Sequence, residues 1–171
     1  MNIEELAQLP KESIVQLLEI LRKDQRSIDG FWFLKVEESH GLERAVAMDA
    51  SIWGKMGRIN AKRLQRAFDL GEPGIPALIQ AIELDPLWLF FGYNVEQISS
   101  TQAVVRFTDC LPQKGRRKIG KEVFPCRSVG EGYFTNFAKV IDSRIEVQCG
   151  FCPPEKYSED LWCEWHFNIN E

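Results

Sequence analysis

The sequence predicts a mixed α/β domain of the α+β kind, in which N-terminal helices pack on a mostly antiparallel sheet joined by one further helix. Three observations predict it. Residues 1–86 carry long stretches with helical spacing of apolar side chains. Residues 87–171 are dominated by short runs rich in aromatic and β-branched residues, which read as strands. Helices followed by strands, rather than alternating with them, favour an antiparallel sheet. At 171 residues, 44% hydrophobic and 27% charged, the chain has the composition of one ordinary globular domain over 1–171.

The elements follow in order. From Pro10, a favourable first-turn residue, a helix places Ile14, Leu17, Leu18 and Leu21 on one face, and Gly30 is a candidate bend or break within it. After Gly41 a second helix runs from about Leu42 to Phe68, with the stripe Leu42, Val46, Asp49, Trp53, Met56. "GEPG" ends it, and a shorter helix, "IPALIQAIEL", follows. "LWLFFGYNVEQI" and "QAVVRFTDC" read as strands, "QKGRRKIGKE" as a basic loop, and "SVGEGYFTNFAKVID" as a helix. "RIEVQC" and "LWCEWHFNI" alternate as strands and predict a hairpin across "GFCPPEKYSED".

Composition narrows the function. The N-terminal "MNIEELAQLPKES" lacks the basic start and apolar run of a signal peptide, and no apolar stretch reaches membrane-spanning length. A cytoplasmic protein with reduced thiols is therefore expected. The net charge of −4 gives no general reason for nucleic acid binding. The run Lys114, Arg116, Arg117, Lys118 and Lys121 is first a solvated loop, and "GRRKIGK" lacks the spacing of a phosphate-binding loop.

The densest chemical signal is "VQCGFCPPEKYSEDLWCEW", where Cys149, Cys152 and Cys163 fall within fifteen residues. Strand alternation puts Cys149 on a face with Ile145 and Val147, and Cys163 on a face with Trp165 and Phe167. A hairpin would let the two cysteines approach. Cys152 makes a C-x-x-C pair with Cys149, and Cys126 precedes a helix whose N-terminal dipole favours a thiolate. Together the four could form a closed tetrahedral zinc site, structural rather than catalytic. The alternatives are a disulfide, a redox pair, or buried cysteines acting as small hydrophobes. Five cysteines is an odd number for a disulfide framework, and two prolines after Cys152 oppose a redox helix.

Other candidate residues suggest a pocket. Asp49 interrupts an apolar stripe beside Trp53, and "FWFLKVEE" mixes Trp32 with Glu38. A ligand site with aromatic walls and few polar groups would use Trp32, Glu38, Asp49 and Trp53. The competing reading is a paired Asp49 among core aromatics. Cys110 ends a strand and is not required by the four-cysteine site; it is a pocket thiol, a packed side chain, or a nucleophile in need of a base.

The run "FPCRSVGEGYFTNFAKVIDSRIEVQCGFCPPEKYSEDLWCEWHFNI" resembles the four-vinyl-reductase-type ligand-binding domain. In phenol-sensing transcription regulators with that domain, three cysteines and a glutamate hold zinc. The resemblance implies that Cys126, Cys152 and Cys163 are the cysteines and that Cys149 takes the glutamate's place. "FWFLKVEESHGLERAVAMDASIWGKMGRINAKRL" with "CPPEKYSEDLWCEWHF" further resembles an uncharacterised prokaryotic family of small cytosolic proteins, related to 2-aminothiazoline-4-carboxylate hydrolases. These resemblances imply a homodimer and a pocket for a small apolar or aromatic ligand between helices and sheet. The functional expectation is a zinc-containing small-molecule-binding protein; the alternative is a small hydrolase acting on a heterocyclic or amide substrate through Cys110 or the carboxylates of Asp49 and Glu38.

Overall fold

The computed structural model describes residues 2–89, 91–155 and 157–170. Among them the chain forms six helices and four strands: α1 (Ile3–Ala7), α2 (Lys11–His40), α3 (Leu42–Ala67), α4 (Ile75–Leu84), β1 (Tyr93–Gln97), β2 (Gln102–Phe107), α5 (Leu111–Lys118), α6 (Arg127–Ile141), β3 (Ile145–Phe151) and β4 (Cys163–Ile169). The strands make one sheet in the order β1-β2-β4-β3, and every neighbouring pair is antiparallel. The mixed α/β architecture is as the sequence predicts. None of these helices is long and apolar enough to cross a membrane.

One face of the sheet carries the core. In β3 the alternation buries Ile145 and Cys149, and in β4 it buries Trp165 and Phe167. Onto this face pack α6, through Phe134, Phe137 and Ala138, and α4, through Ile75, Leu78 and Ile82. The opposite alternation sends Glu164 and His166 to the other face, where Glu164 bonds both His166 and Arg106. Helix α3 crosses α6 on the side away from the sheet. That crossing is close: an added Cβ on Gly57 would overlap the backbone of Tyr133, so only glycine fits there without a shift. Core residues from both halves of the chain, Ala61 to Phe167, form a single cluster.

Helix α2 behaves differently. It runs unbroken through Gly30, because one glycine in a helix interior costs only about 1 kcal/mol. The reversal into α3 is made by Gly41 alone, at φ 83°, a conformation side chains disfavour. Of its thirty residues only Arg22 is fully buried. Of the four side chains that helical spacing puts on one face, Leu18 and Leu21 are exposed.

Two further elements differ from the sequence reading. The run beginning at Leu87 does not enter the sheet at once; Asp85 accepts from the Leu87 amide at 3.0 Å and its carbonyl accepts from the Trp88 amide, so a turn precedes β1. Phe90, part of the same predicted strand, lies outside the described residues. The basic segment is partly a helix, α5, begun by Pro112 in its first turn and closed by Gly120 at φ 74°. Its charges are largely paired: Lys114 with Asp109, Arg116 and Lys121 with Glu37, and Arg117 with Glu159. Long-range pairing, invisible in sequence, turns an apparent cationic loop into a bracket between α5 and α2.

Candidate ligand pocket and thiol cluster

Between α2, α3, α6 and the sheet lies a pocket of about 420 Å³, within the range of small-molecule sites. Its walls are aromatic because four elements turn rings into one space. Trp88, from the turn after α4, stacks on Phe134 of α6 at 5.2 Å and meets the Tyr133 ring edge-on at 5.2 Å. Phe107 of β2 lies 5.0 Å from Trp88, and Trp165 of β4 lies 5.1 Å from Phe134. Trp53 of α3 reaches Tyr133 at 6.1 Å. A second recess of about 440 Å³, lined by residues such as Pro73, Gln80 and Arg144, has no aromatic wall and no thiols.

Most polar groups on the aromatic pocket are already committed to the protein. Arg116 donates to both Glu37 oxygens, at 2.5 and 3.1 Å, and to the Glu122 carbonyl, while lying over the rings of Phe33 and Phe124. That guanidinium holds the Glu37 carboxyl below its usual range. Gln113 exchanges two hydrogen bonds with the Phe124 backbone, which is why an amide side chain can sit fully buried. Arg22 donates to the Leu87 carbonyl at 2.9 Å and lies over Phe91. Beneath the wall, the Tyr133 hydroxyl donates to Asp85, and Asn60 donates to both. Burial raises the Asp85 carboxyl, against the pull of those donors.

Among the groups not so committed are two carboxylates. Asp29 of α2 and Asp49 of α3 both line the pocket, and the nearby Trp53 side chain acts to lower both carboxyls. Burial, and then the neighbouring Asp29, push the Asp49 carboxyl up to about 7. Burial also raises Asp29. Sequence reasoning identified Asp49 but missed Asp29, which only the turn at Gly41 brings alongside; its position one helical turn before Phe33 was the available clue.

The predicted pocket residues divide accordingly. Asp49, Trp53 and Cys110 line the cavity. Trp32 and Glu38 do not: Trp32 is 69% exposed, and Glu38 faces solvent with Lys35 at 2.8 Å. Helical geometry explains the difference, since Phe33, not Trp32, is rotated toward Phe124 at 4.8 Å.

All five cysteines are free. Three lie near enough to shift one another, Cys152 acting on both the Cys126 and Cys149 thiols. The Cys126 thiol beside it holds Cys152 low, at about 7, against burial. Burial and Cys152 push Cys149 up to about 12, and Cys126 is raised by Cys152 and by burial. In the β3–β4 hairpin Cys149 faces Trp165 rather than Cys163. Cys163 instead accepts from the Trp165 indole at 3.3 Å, and burial raises its thiol. As donors, thiolates suit zinc, and Cys126, Cys149 and Cys152 converge, but Cys163 is turned toward Trp165. Among the described residues no group of three or more His, Cys, Asp and Glu side chains is arranged to hold a metal ion.

Cys110 caps α5 at the pocket wall, where burial pushes its thiol up to about 12. Such a thiol is a poor nucleophile. His166 pairs with Glu164 on the far face of the sheet, and His40 ends α2 in solvent, so neither borders this pocket.

No curated protein matches the chain. Residues 7–169 match the family described as "Family of unknown function (DUF6125)", and the chain belongs to that family.

Proposed function

We propose that the chain is a small-molecule-binding protein of the four-vinyl-reductase type, whose aromatic pocket takes a compact apolar or aromatic ligand. The observation that carries this reading is the 420 Å³ cavity walled by rings from α3, α6, β2 and β4. Cys126, Cys149, Cys152 and Cys163 would hold a structural zinc that fastens the β3–β4 connection to the start of α6. The convergence of three of these thiols supports the assignment; Cys163 would have to leave Trp165 to complete it. A hydrolase related to the 2-aminothiazoline-4-carboxylate enzymes is less well supported, because Cys110 has neither a lowered pKa nor a histidine beside the pocket, and Glu38 lies in solvent with Lys35, away from the pocket that Asp49 lines.

The test combines titration and metal analysis. Binding of 2-naphthol should quench the wall tryptophans saturably and raise Tm as expected for a ligand of the native state. The purified protein should contain about one zinc per chain, with about four thiols masked until chelation. No saturable response to any of a panel of neutral and charged aromatic compounds would remove the pocket reading. Metal-free protein whose five thiols react only on unfolding would remove the zinc assignment.

Helix α2 supports the homodimer in this reading. Leu18, Leu21, Gln25, Ile28 and Trp32 follow alternating spacings of three and four, the pattern of a helix-pairing seam, and Leu21, Ile28 and Trp32 are 64, 59 and 69% exposed. Light scattering should give twice the chain mass of 19.7 kDa, and I28E with W32E should return a monomer. A monomeric wild type would dismiss the pairing.

A further inference from the structure

We propose that the pocket's ligand is a cation: a hydrophobic amine whose ammonium group sits between Asp29 and Asp49 while its apolar body lies against the aromatic walls. The inference rests on the pocket reading and adds the chemical class of the ligand. Arg116 is matched by Glu37, Arg22 is engaged with Leu87 and Phe91, and Arg26, exposed at the pocket's edge, forms an ion pair with neither Asp29 nor Asp49. Asp29 and Asp49 have no Arg or Lys within ion-pairing distance among the described residues, and the neutral Trp53 side chain acts on both. Two half-buried carboxylates facing each other without a counterion are unfavourable as charged groups. The raised Asp49 carboxyl has that origin, and a bound ammonium would supply the missing charge.

The surroundings suit such a group. The Trp53 ring stands beside the carboxylates and offers a cation–π face next to them. Hydrogen bonds from an ammonium to carboxylates are about twice as strong as neutral ones. An anionic ligand would meet two like charges. A second group on the wall is also unsatisfied: Trp88 is 9% exposed, and its Nε1 has no hydrogen-bond partner among the described residues. A ligand carrying an acceptor on its apolar body could satisfy that donor.

The experiment compares two probes of the same shape, 2-naphthylmethylammonium and the neutral 2-naphthylmethanol, by tryptophan fluorescence on the full chain. The ammonium should bind at least about tenfold more tightly, the scale of one charge-assisted contact. The double variant D29N, D49N, checked for folding by circular dichroism, should lose that preference. If the alcohol binds as tightly as the ammonium, the ligand class is wrong and the pocket reading stands. If neither probe nor any neutral aromatic saturates the signal, both fail. A wild-type preference that persists in the double variant would also overturn the proposal, since some other group would be recognising the charge.

Discussion

Replacing Gly57 by alanine tests how closely α3 and α6 approach. A Cβ there would lie 3.1 Å from the Tyr133 carbonyl carbon and 3.2 Å from its Cα, and nearer still to its oxygen. These are backbone atoms of a packed helix, so relief requires moving α3 away from α6 rather than turning a side chain. Overpacking of this kind costs about 1–3 kcal/mol. Against it stands the gain of about 1 kcal/mol from replacing a helical glycine. The clash is with backbone, so the cost should prevail, with a net loss of up to about 2 kcal/mol. Gly54, one turn earlier on the same interface, is the control. Its added Cβ would meet Asn136 at 3.6 Å and Gly132 at 3.7 Å, which is ordinary contact. G54A should therefore be neutral or gain up to about 1 kcal/mol. Urea unfolding at fixed protein concentration reads both. With a slope of about 1–3 kcal/mol per molar, G57A should lower the midpoint by up to about 1 M while G54A holds or raises it. A G57A midpoint at or above that of wild type would refute the close-crossing argument.

Two other perturbations probe the polar groups around the pocket. Y133F removes the hydroxyl that donates to the fully buried Asp85 and accepts from Asn60. Leaving such a group short of a partner costs about 1–3 kcal/mol, and calorimetry should show a Tm lower by roughly 3–10 °C; an unchanged Tm would mean that Asp85 does not depend on Tyr133. D49N addresses the carboxylate pair. Because burial and Asp29 raise the folded-state Asp49 carboxyl from 3.8 to about 7, the folded form binds its proton more tightly than the unfolded chain. Its stabilising contribution is full below 3.8 and is lost as pH rises through about 7. The asparagine variant should gain on wild type progressively across that window, at about 1.4 kcal/mol per pKa unit as an upper scale. Urea midpoints of the two proteins that stay parallel from about pH 4 to about pH 7.5 would show that Asp49 titrates normally.

What the sequence determined by itself was local. Period-two alternation placed Ile145 and Cys149 of β3, and Trp165 and Phe167 of β4, on the buried side of the sheet, and helical spacing located α3, α4 and α6. Both signals arise from backbone geometry over a few residues. Capping and turn chemistry are present but weaker, so Gly30 suggests a break that does not occur and the basic run from Gln113, most of which is helical in α5, reads as loop. Tertiary structure alone decided the rest. Asp29 meets Asp49 only because Gly41 folds α2 back along α3, and Arg116 is neutralised by a glutamate 79 residues away. The rotation of α2 about its axis sends Phe33 inward and Trp32 outward, although the two are adjacent in a run of three aromatics. Hydrophobicity says that such side chains seek burial; it does not say which surface will cover them. That is settled by how whole helices pack, and here one constraint is the absence of a side chain at Gly57, which lets α3 lie against α6.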